Sequence, residues 1–262
     1  MNFSKKTALV TGASSGIGKV FATELAKKGC NIILVARSED KLEQIAKELQ
    51  KTYLIHAVPL SVDLSTVNAA EKVAREVEIL GLTVDILINN AGFGTMGVFN
   101  QISSTRVHQE VQLNVISLTE LTHQFIGSMI ERKEGIIINV ASMTAFQPAP
   151  YMAVYGATKA YVLSFTEALW AEYRDSGVHI VALCPGETKS SFHAVSGTES
   201  LKGKRMEPID VVNAAFKGVK KDRSHIIVGR NNYIMAQLPR LLPRSMVVKF
   251  AKGIFQSALS NK

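Results

Sequence analysis

The chain is poor in the residues that build covalent or metal-bound scaffolds. It has two cysteines in 262 residues, Cys30 and Cys184, and a pair so far apart suits reduced, buried thiols better than a disulfide framework or a zinc site. Its six histidines form no H-E-x-x-H run and no Cys/His cluster, so no metal is expected. There is no hydrophobic run of membrane-spanning length, and Met1 to Lys6 lead straight into TALVTG without the pattern of a signal peptide. A cytoplasmic protein is expected. Acidic residues are also missing from one end, since none follows Asp222. Residues 202–262 hold thirteen basic and three acidic side chains, which is +10 against −2 for the remainder of a chain whose net charge is +8. That tail is expected to meet an anionic group, either a phosphate-bearing substrate or a lipid headgroup at a membrane surface. No nucleic-acid-reading motif accompanies the charge, so no nucleic acid is expected as a partner.

What is abundant is core material: 47% of residues are hydrophobic and 20% charged. Apolar β-rich runs alternate with helical patterns. The strands are TALVTG (7–12), NIILVA (31–36), LIHAVPL (54–60), DILIN (85–89), GIIINVAS (135–142), HIVALC (179–184) and HIIVG (225–229). Helices are expected between them at about 16–28, 39–51, 65–80, 103–129 and 153–175. Strict alternation implies a parallel sheet, and strands without polar alternation imply helices on both faces. The expectation is one α/β domain over residues 1–262, a doubly wound Rossmann fold with a seven-stranded parallel sheet. Residues from about 187 to 205 lack periodicity and follow the carboxyl end of a strand, where such folds bind ligands, so they are expected to form a substrate loop.

TGASSGIG at 11–18 closes the first strand and opens the first helix. Gly12, Gly16 and Gly18 permit a tight turn and close approach of a pyrophosphate, while the backbone of Ser14, Ser15 and Ile17 lies at a helix start with free N–H groups. A glycine triplet alone can serve only the turn; the strand before and the helix after favour a dinucleotide. The second strand ends in ILVARSEDK, where Arg37 and Ser38 stand in place of a carboxylate for the ribose hydroxyls of NAD. A guanidinium matches an extra phosphate, so NADP(H) is expected, unless Arg37 merely pairs with Glu39 or Asp40. Asp63, beside Leu64, either meets the adenine edge or caps a helix starting near Ser65.

Tyr155 is the one tyrosine of six with a lysine four places on, Lys159, and that spacing puts both on one helix face. A nearby ammonium favours the phenolate and makes a tyrosine a usable proton carrier, although the spacing by itself also fits simple surface packing. Ser142 follows the strand GIIINVAS, and Asn114 sits at an unfavourable helix-interior position, where it is expected to hold a water that relays protons to Lys159.

With TGASSGIG, NNAG (89–92), Asn114, Ser142, YGATK (155–159) and PGETKS (185–190) in this order, the sequence resembles the classical short-chain dehydrogenase/reductase family from about Lys5 to Gly229. The resemblance implies Tyr155 as general acid/base, Lys159 as its activator and ribose ligand, Ser142 orienting a carbonyl and Asn114 supporting the relay. It also implies that Asn90, Ala91 and Gly92 support the adenosine side, that Pro185, Gly186 and Thr188 lie beside the carboxamide, and that the protein is a homodimer or homotetramer. Ser190 stands where the family more often has threonine. Apolar residues around the presumed site, Phe93, Phe146, Tyr151 and Phe192 among them, suit a lipophilic or acyl ketone as substrate, as in ketoacyl and carbonyl reductases. An alcohol dehydrogenase working oxidatively and a non-catalytic NADPH-binding regulator are the competing readings. The tail over about 239–259 reads as a basic amphipathic helix from near Pro243, with Met246, Phe250, Ile254 and Ala258 on one stripe. Such a helix lies on a membrane, closes over a substrate or packs on protein.

Overall fold

The structure is a computed structural model that describes residues 3–199 and 205–259, with side chains through Gln256. Its strands are β1 (Thr7–Thr11), β2 (Asn31–Ala36), β3 (Ala57–Ser61), β4 (Ile86–Asn89), β5 (Gly135–Val140), β6 (Val178–Cys184) and β7 (His225–Ile227). They form one all-parallel seven-stranded sheet in the order β3-β2-β1-β4-β5-β6-β7. Each strand-to-strand step crosses over through helix, so both faces are covered and the strands stay apolar throughout. Along β1, Ala8 and Val10 pack with Phe21 and Leu25 of α1 (Gly16–Ala26), whereas Leu9 joins Val73, Val77, Leu121 and Phe125 on the opposite face. The two core layers are built by this alternation.

The chain order reverses at β1, whose neighbours are β2 and β4. Ligands in such sheets bind beyond the carboxyl ends of the strands at this crevice. In-step pairing, Val10 with Ile88, Asn89 with Asn139 and Val140 with Leu183, brings those ends to one edge. Gly12, Asn90, Ser142 and Pro185 thereby become neighbours although up to 173 residues separate them in sequence.

Several boundaries differ from the sequence reading. α2 (Glu39–Tyr53) runs on to a left-handed cap at Leu54, so β3 starts at Ala57 rather than 54. α3 (Ala69–Ile79) starts after a left-handed Asn68, and Asp63 caps no helix: its Oδ1 accepts from the Ser65 backbone N–H at 2.9 Å and its hydroxyl at 2.7 Å, holding a turn. The helix expected over 103–129 is two, α4 (Ser104–Val111) and α5 (Leu118–Glu131), joined by a π-helical turn at Gln112–Ser117. The loop expected at 187–205 contains a short helix, α7 (Phe192–Ser196), and its residues 200–204 lie outside the described ones. α6 (Ala153–Glu172) and α8 (Pro208–Lys220) precede β6 and β7. The sequence reading missed both α8 and α9 (Arg230–Leu241), the second of which leads into α10 (Arg244–Leu259). On α10 the buried stripe is Val247, Ala251 and Phe255, whereas Met246, Phe250 and Ile254 are exposed; Ala258 falls beyond the described side chains.

Gly18 joins helix to turn, since a Cβ there would lie 2.3 Å from the Gly12 carbonyl oxygen. Gly18→Ala is expected to destabilise the fold by about 1–3 kcal/mol through overpacking. Thermal melts check this, and an unchanged melting temperature refutes the close packing.

Candidate active site

A cleft of about 660 Å³ runs along the carboxyl edge of the sheet. Its first part is the glycine-rich turn. Gly12 and Gly16 have φ of +64° and +55°, which side-chain-bearing residues rarely adopt. A Cβ at Gly12 would meet Asn90 Nδ2 at 2.8 Å, and Asn90 uses that amide to donate to the Thr11 carbonyl at 2.9 Å. Thr11 Oγ1 in turn accepts from the N–H groups of Asn90 and Ala91 and donates to the Ile88 carbonyl. The turn after β1 and the turn after β4 are therefore one hydrogen-bonded unit. Ser14, Ser15, Gly16 and Ile17 line the cleft, whereas Gly18 lies outside the lining and packs against Gly12. Asn89 points away from the cleft and donates to Asn139 and Thr122 within the core.

Arg37, Ser38, Asp63 and Leu64 line the adjoining end, after β2 and β3. Arg37 is exposed there, and the ion pairs found among the described residues do not include it. A backbone cradle at a helix start, with one guanidinium at the far end, suits the pyrophosphate and adenosine half of a dinucleotide. Ala91, Gly92, Pro185, Gly186 and Thr188 line the middle. Gly186 lies against a residue the sequence reading passed over, since a Cβ there would sit 2.4 Å from Asn232 Nδ2.

The chemical end lies over β5 and α6. Ser142 follows β5 in extended backbone, and its Oγ accepts from the Thr144 N–H at 3.2 Å. Tyr155 and Lys159 sit one turn apart on α6, both buried, with Lys159 Nζ 5.8 Å from the Tyr155 ring centre. Nζ donates to the Val140 carbonyl at 2.7 Å. Burial lowers Lys159 from 10.5 to about 8 and pushes Tyr155 up from 10.0 to about 12, with the Ser142 hydroxyl pulling the tyrosine part of the way back. The expected lowering of Tyr155 by Lys159 is not seen in this structure: burial dominates, and the group that opposes it is the Ser142 hydroxyl. A neutral Tyr155 is a proton donor, and a largely protonated Lys159 beside it favours the phenolate that donation leaves behind.

Asn114 is placed by hydrogen bonds that its position in the sequence did not announce. It is fully buried, and its side chain is committed to protein groups: Nδ2 donates to the Phe93 carbonyl and to Thr158 Oγ1, and Oδ1 accepts from the Phe93 N–H. Through these bonds it braces the turn after β4 to α6. The π turn that carries it is the kind of local widening that recurs at functional sites. Gly92 fills the space between, since a Cβ there would stand 2.9 Å from Asn114 Oδ1 and 3.4 Å from Lys159 Nζ. Glu110, two residues before the π segment and 1% exposed, was not anticipated. Burial raises its carboxyl, with Thr95 and Arg106 pulling it back, and it acts electrostatically on both Tyr155 and Lys159.

Of the expected substrate residues, Phe93, Phe146 and Phe192 line the cleft, and Phe192 packs on Tyr155 with ring centres 5.2 Å apart. Tyr151 does not line it: a left-handed turn at φ +64° places it behind, where its carbonyl accepts from the Gly97 N–H. Arg106 stacks over Phe93 at 4.0 Å and donates to the Val195 carbonyl at 3.1 Å, tying α4 to α7. His193 pins the same segment through Thr188 and Thr198. Met235, Ala236, Ile254 and Phe255 of α9 and α10 complete the wall, and Phe255 packs with Met96, Met152 and Tyr155. Met235, Ala236 and Phe255 were not named from the sequence, and Ile254 was named only as part of the tail's apolar stripe. Among the described residues no group of His, Cys, Asp and Glu is arranged to hold a metal.

The family profile described as short chain dehydrogenase matches residues 6–200. The chain belongs to that family. It is 32% identical over 264 residues to very-long-chain 3-oxoacyl-CoA reductase of Rattus norvegicus, covering 97% of this chain and 81% of that one. It is 34% identical over 191 residues to a Homo sapiens protein named inactive hydroxysteroid dehydrogenase-like protein 1, covering 72% of this chain and 58% of that one. Against several such curated relatives the chain spans little more than half their length. A short-chain dehydrogenase from Sphingobium yanoikuyae, solved in complex with NADPH, superposes with a TM-score of 0.80 at 31% identity, covering 85% of this chain and 87% of that one. The seven-stranded fold and the glycine cradle are those of this family's oxidoreductases.

The lysine gives a testable pH dependence. Between about 8 and 10.5 the unfolded chain holds a proton that folded Lys159 has released, so stability rises with pH across that window. Lys159→Met removes this titration. Its melting temperature minus that of the parent is expected to fall steadily as pH is raised through the window, and a value that stays flat or rises refutes the burial effect.

Proposed function

We propose that the protein is an NADP(H)-dependent oxidoreductase that reduces a lipophilic or acyl ketone to a secondary alcohol. The observation that carries this reading is the convergence of Tyr155, Ser142 and Lys159 at the apolar end of a cleft whose other end is a glycine cradle with Arg37 at its rim. A reduced nicotinamide dinucleotide, when bound, supplies hydride to the carbonyl carbon. Ser142 holds the carbonyl oxygen, and Tyr155 Oη gives it a proton, so C=O becomes CH–OH and the tyrosine becomes a phenolate. Lys159 stabilises that phenolate until a proton returns. Phe93, Phe146, Phe192 and Phe255 exclude water and leave an apolar channel for the rest of the substrate.

The rat relative named as a 3-oxoacyl-CoA reductase supports an acyl substrate, and the NADPH-bound structure supports the cofactor. The human relative named as inactive supports a second reading, a protein that binds the dinucleotide without turnover. The family fold also supports assembly as a homodimer or homotetramer, for which exposed Ile116 and Tyr161 on adjoining helices offer apolar surface.

Consumption of NADPH is measured against ketoacyl thioesters, steroid ketones and small diketones. Tyr155→Phe is expected to lower kcat by ~10²–10⁴-fold, the range for losing a general acid, with NADPH affinity nearly unchanged. Retained turnover overturns the role of Tyr155, and tight NADPH binding without turnover by the parent favours the second reading. Arg37→Ala is expected to weaken NADPH binding by roughly 10–100-fold, from loss of a charge-assisted pair, and to leave NADH binding as it was. Equal weakening of both, or none, removes Arg37 as the phosphate ligand.

A further inference from the structure

We propose that the outer face of α9 and α10 is a docking surface for anionic membrane lipid, which sets the mouth of the substrate cleft against the bilayer. The two helices are apolar on two sides. Inward, Met235, Ala236, Ile254 and Phe255 form one wall of the cleft. Outward, Ile234, Leu238 and Leu241 follow one stripe of α9, and Met246 and Phe250 one stripe of α10. Leu241 is 80% and Phe250 70% exposed. Single exposed apolar residues are ordinary, but successive ones along two consecutive helices, beside a cleft, mark a place of contact.

Charge selects the occupant. Arg240, Arg244, Lys249 and Lys252 are exposed on the same two helices, and no acidic residue follows Asp222. A second copy seated on this face would set these cations against their own kind, which is costly. A layer of anionic headgroups accepts the cations while its acyl region accepts Leu241 and Phe250. Among the described residues no helix is long and apolar enough to cross a membrane, so the contact is made with a surface. The consequence, entry of a ketone from the bilayer past Met235 and Ile254, rests on the reading of the cleft given above; the surface itself rests only on its exposure and charge.

The full chain is mixed with phosphatidylcholine vesicles, with and without phosphatidylserine, and the pelleted fraction is measured at low and high salt. Lipid-free protein is followed by sedimentation velocity. The parent is expected to pellet with the phosphatidylserine vesicles at low salt and to be released by high salt. The double variant Leu241→Glu, Phe250→Glu, at exposed positions, is expected to stay in solution with its melting temperature and lipid-free sedimentation unchanged. Arg240→Glu with Arg244→Glu is expected to weaken partitioning at least ~25-fold, as loss of two cations at a charged surface implies. The proposal is overturned if the parent binds neither vesicle, if it binds neutral vesicles equally well, or if both variants still bind. It is also overturned if the parent is a larger species than the Leu241→Glu, Phe250→Glu variant without lipid, which assigns the face to a second copy. None of these readouts uses turnover. Vesicle binding by a protein without reductase activity would therefore sink the proposed reaction and leave the docking surface standing.

Discussion

Burial of the Lys159 ammonium is the constraint around which the centre of this molecule is arranged. Taking a cation from water costs several kcal/mol unless partners are supplied, and the partner here is the last carbonyl of a central strand, Val140, at 2.7 Å. That bond ties α6 to β5, and so places Tyr155 over the residue that follows the strand, Ser142. Anything that shifted the strand register or the helix pitch would leave a buried charge unpaired. The geometry of Tyr155, Lys159 and Ser142 is thereby coupled to the integrity of the sheet.

A second layer of polar packing supports the first. Asn114 joins the turn after β4 to α6 by three hydrogen bonds, and the π turn lets it do so from within an otherwise continuous helix. Gly92 keeps the space between Asn114 and Lys159 narrow. On the cofactor side, Thr11 and Asn90 join the turns after β1 and β4 in the same manner. The cleft is therefore rigid along its floor. Its roof is made of different material: α7 is held by Phe192 and the contacts of Arg106 and His193, α10 by Phe255 with Val247 and Ala251, and α9 by Ala236 and the Asn232 bond to the Val228 carbonyl. A polar floor tied to the sheet beneath an apolar roof lets the roof vary on one fold without disturbing the groups below it.

Much of this was legible in the residues. Near-continuous Val, Ile and Leu runs separated by helical stretches imply a parallel sheet with both faces covered, and the strand-to-helix position of Gly12 and Gly16 implies a phosphate cradle. Boundaries were less legible where local rules compete with a left-handed cap. Leu54 and Asn68 both take that conformation, and neither is the glycine that usually announces it. The π turn left no signal that periodicity could register. On α10 two apolar stripes lie side by side, of which local periodicity picked out the outer one, and contact with Met96, Met152 and Tyr155 selects Phe255 for burial.

The sequence by itself determined the types of the elements, their order, and the chemical groups that follow each strand, because these depend on neighbours a few residues apart. Tertiary structure decided the protonation of Tyr155 and Lys159, the commitment of Asn114 to the backbone of Phe93, the removal of Tyr151 from the cleft and the use of the tail as a roof. Each of these depends on burial and on approach between segments remote in the chain. Desolvation in particular is a property of everything that surrounds a group, and no spacing along a chain carries it.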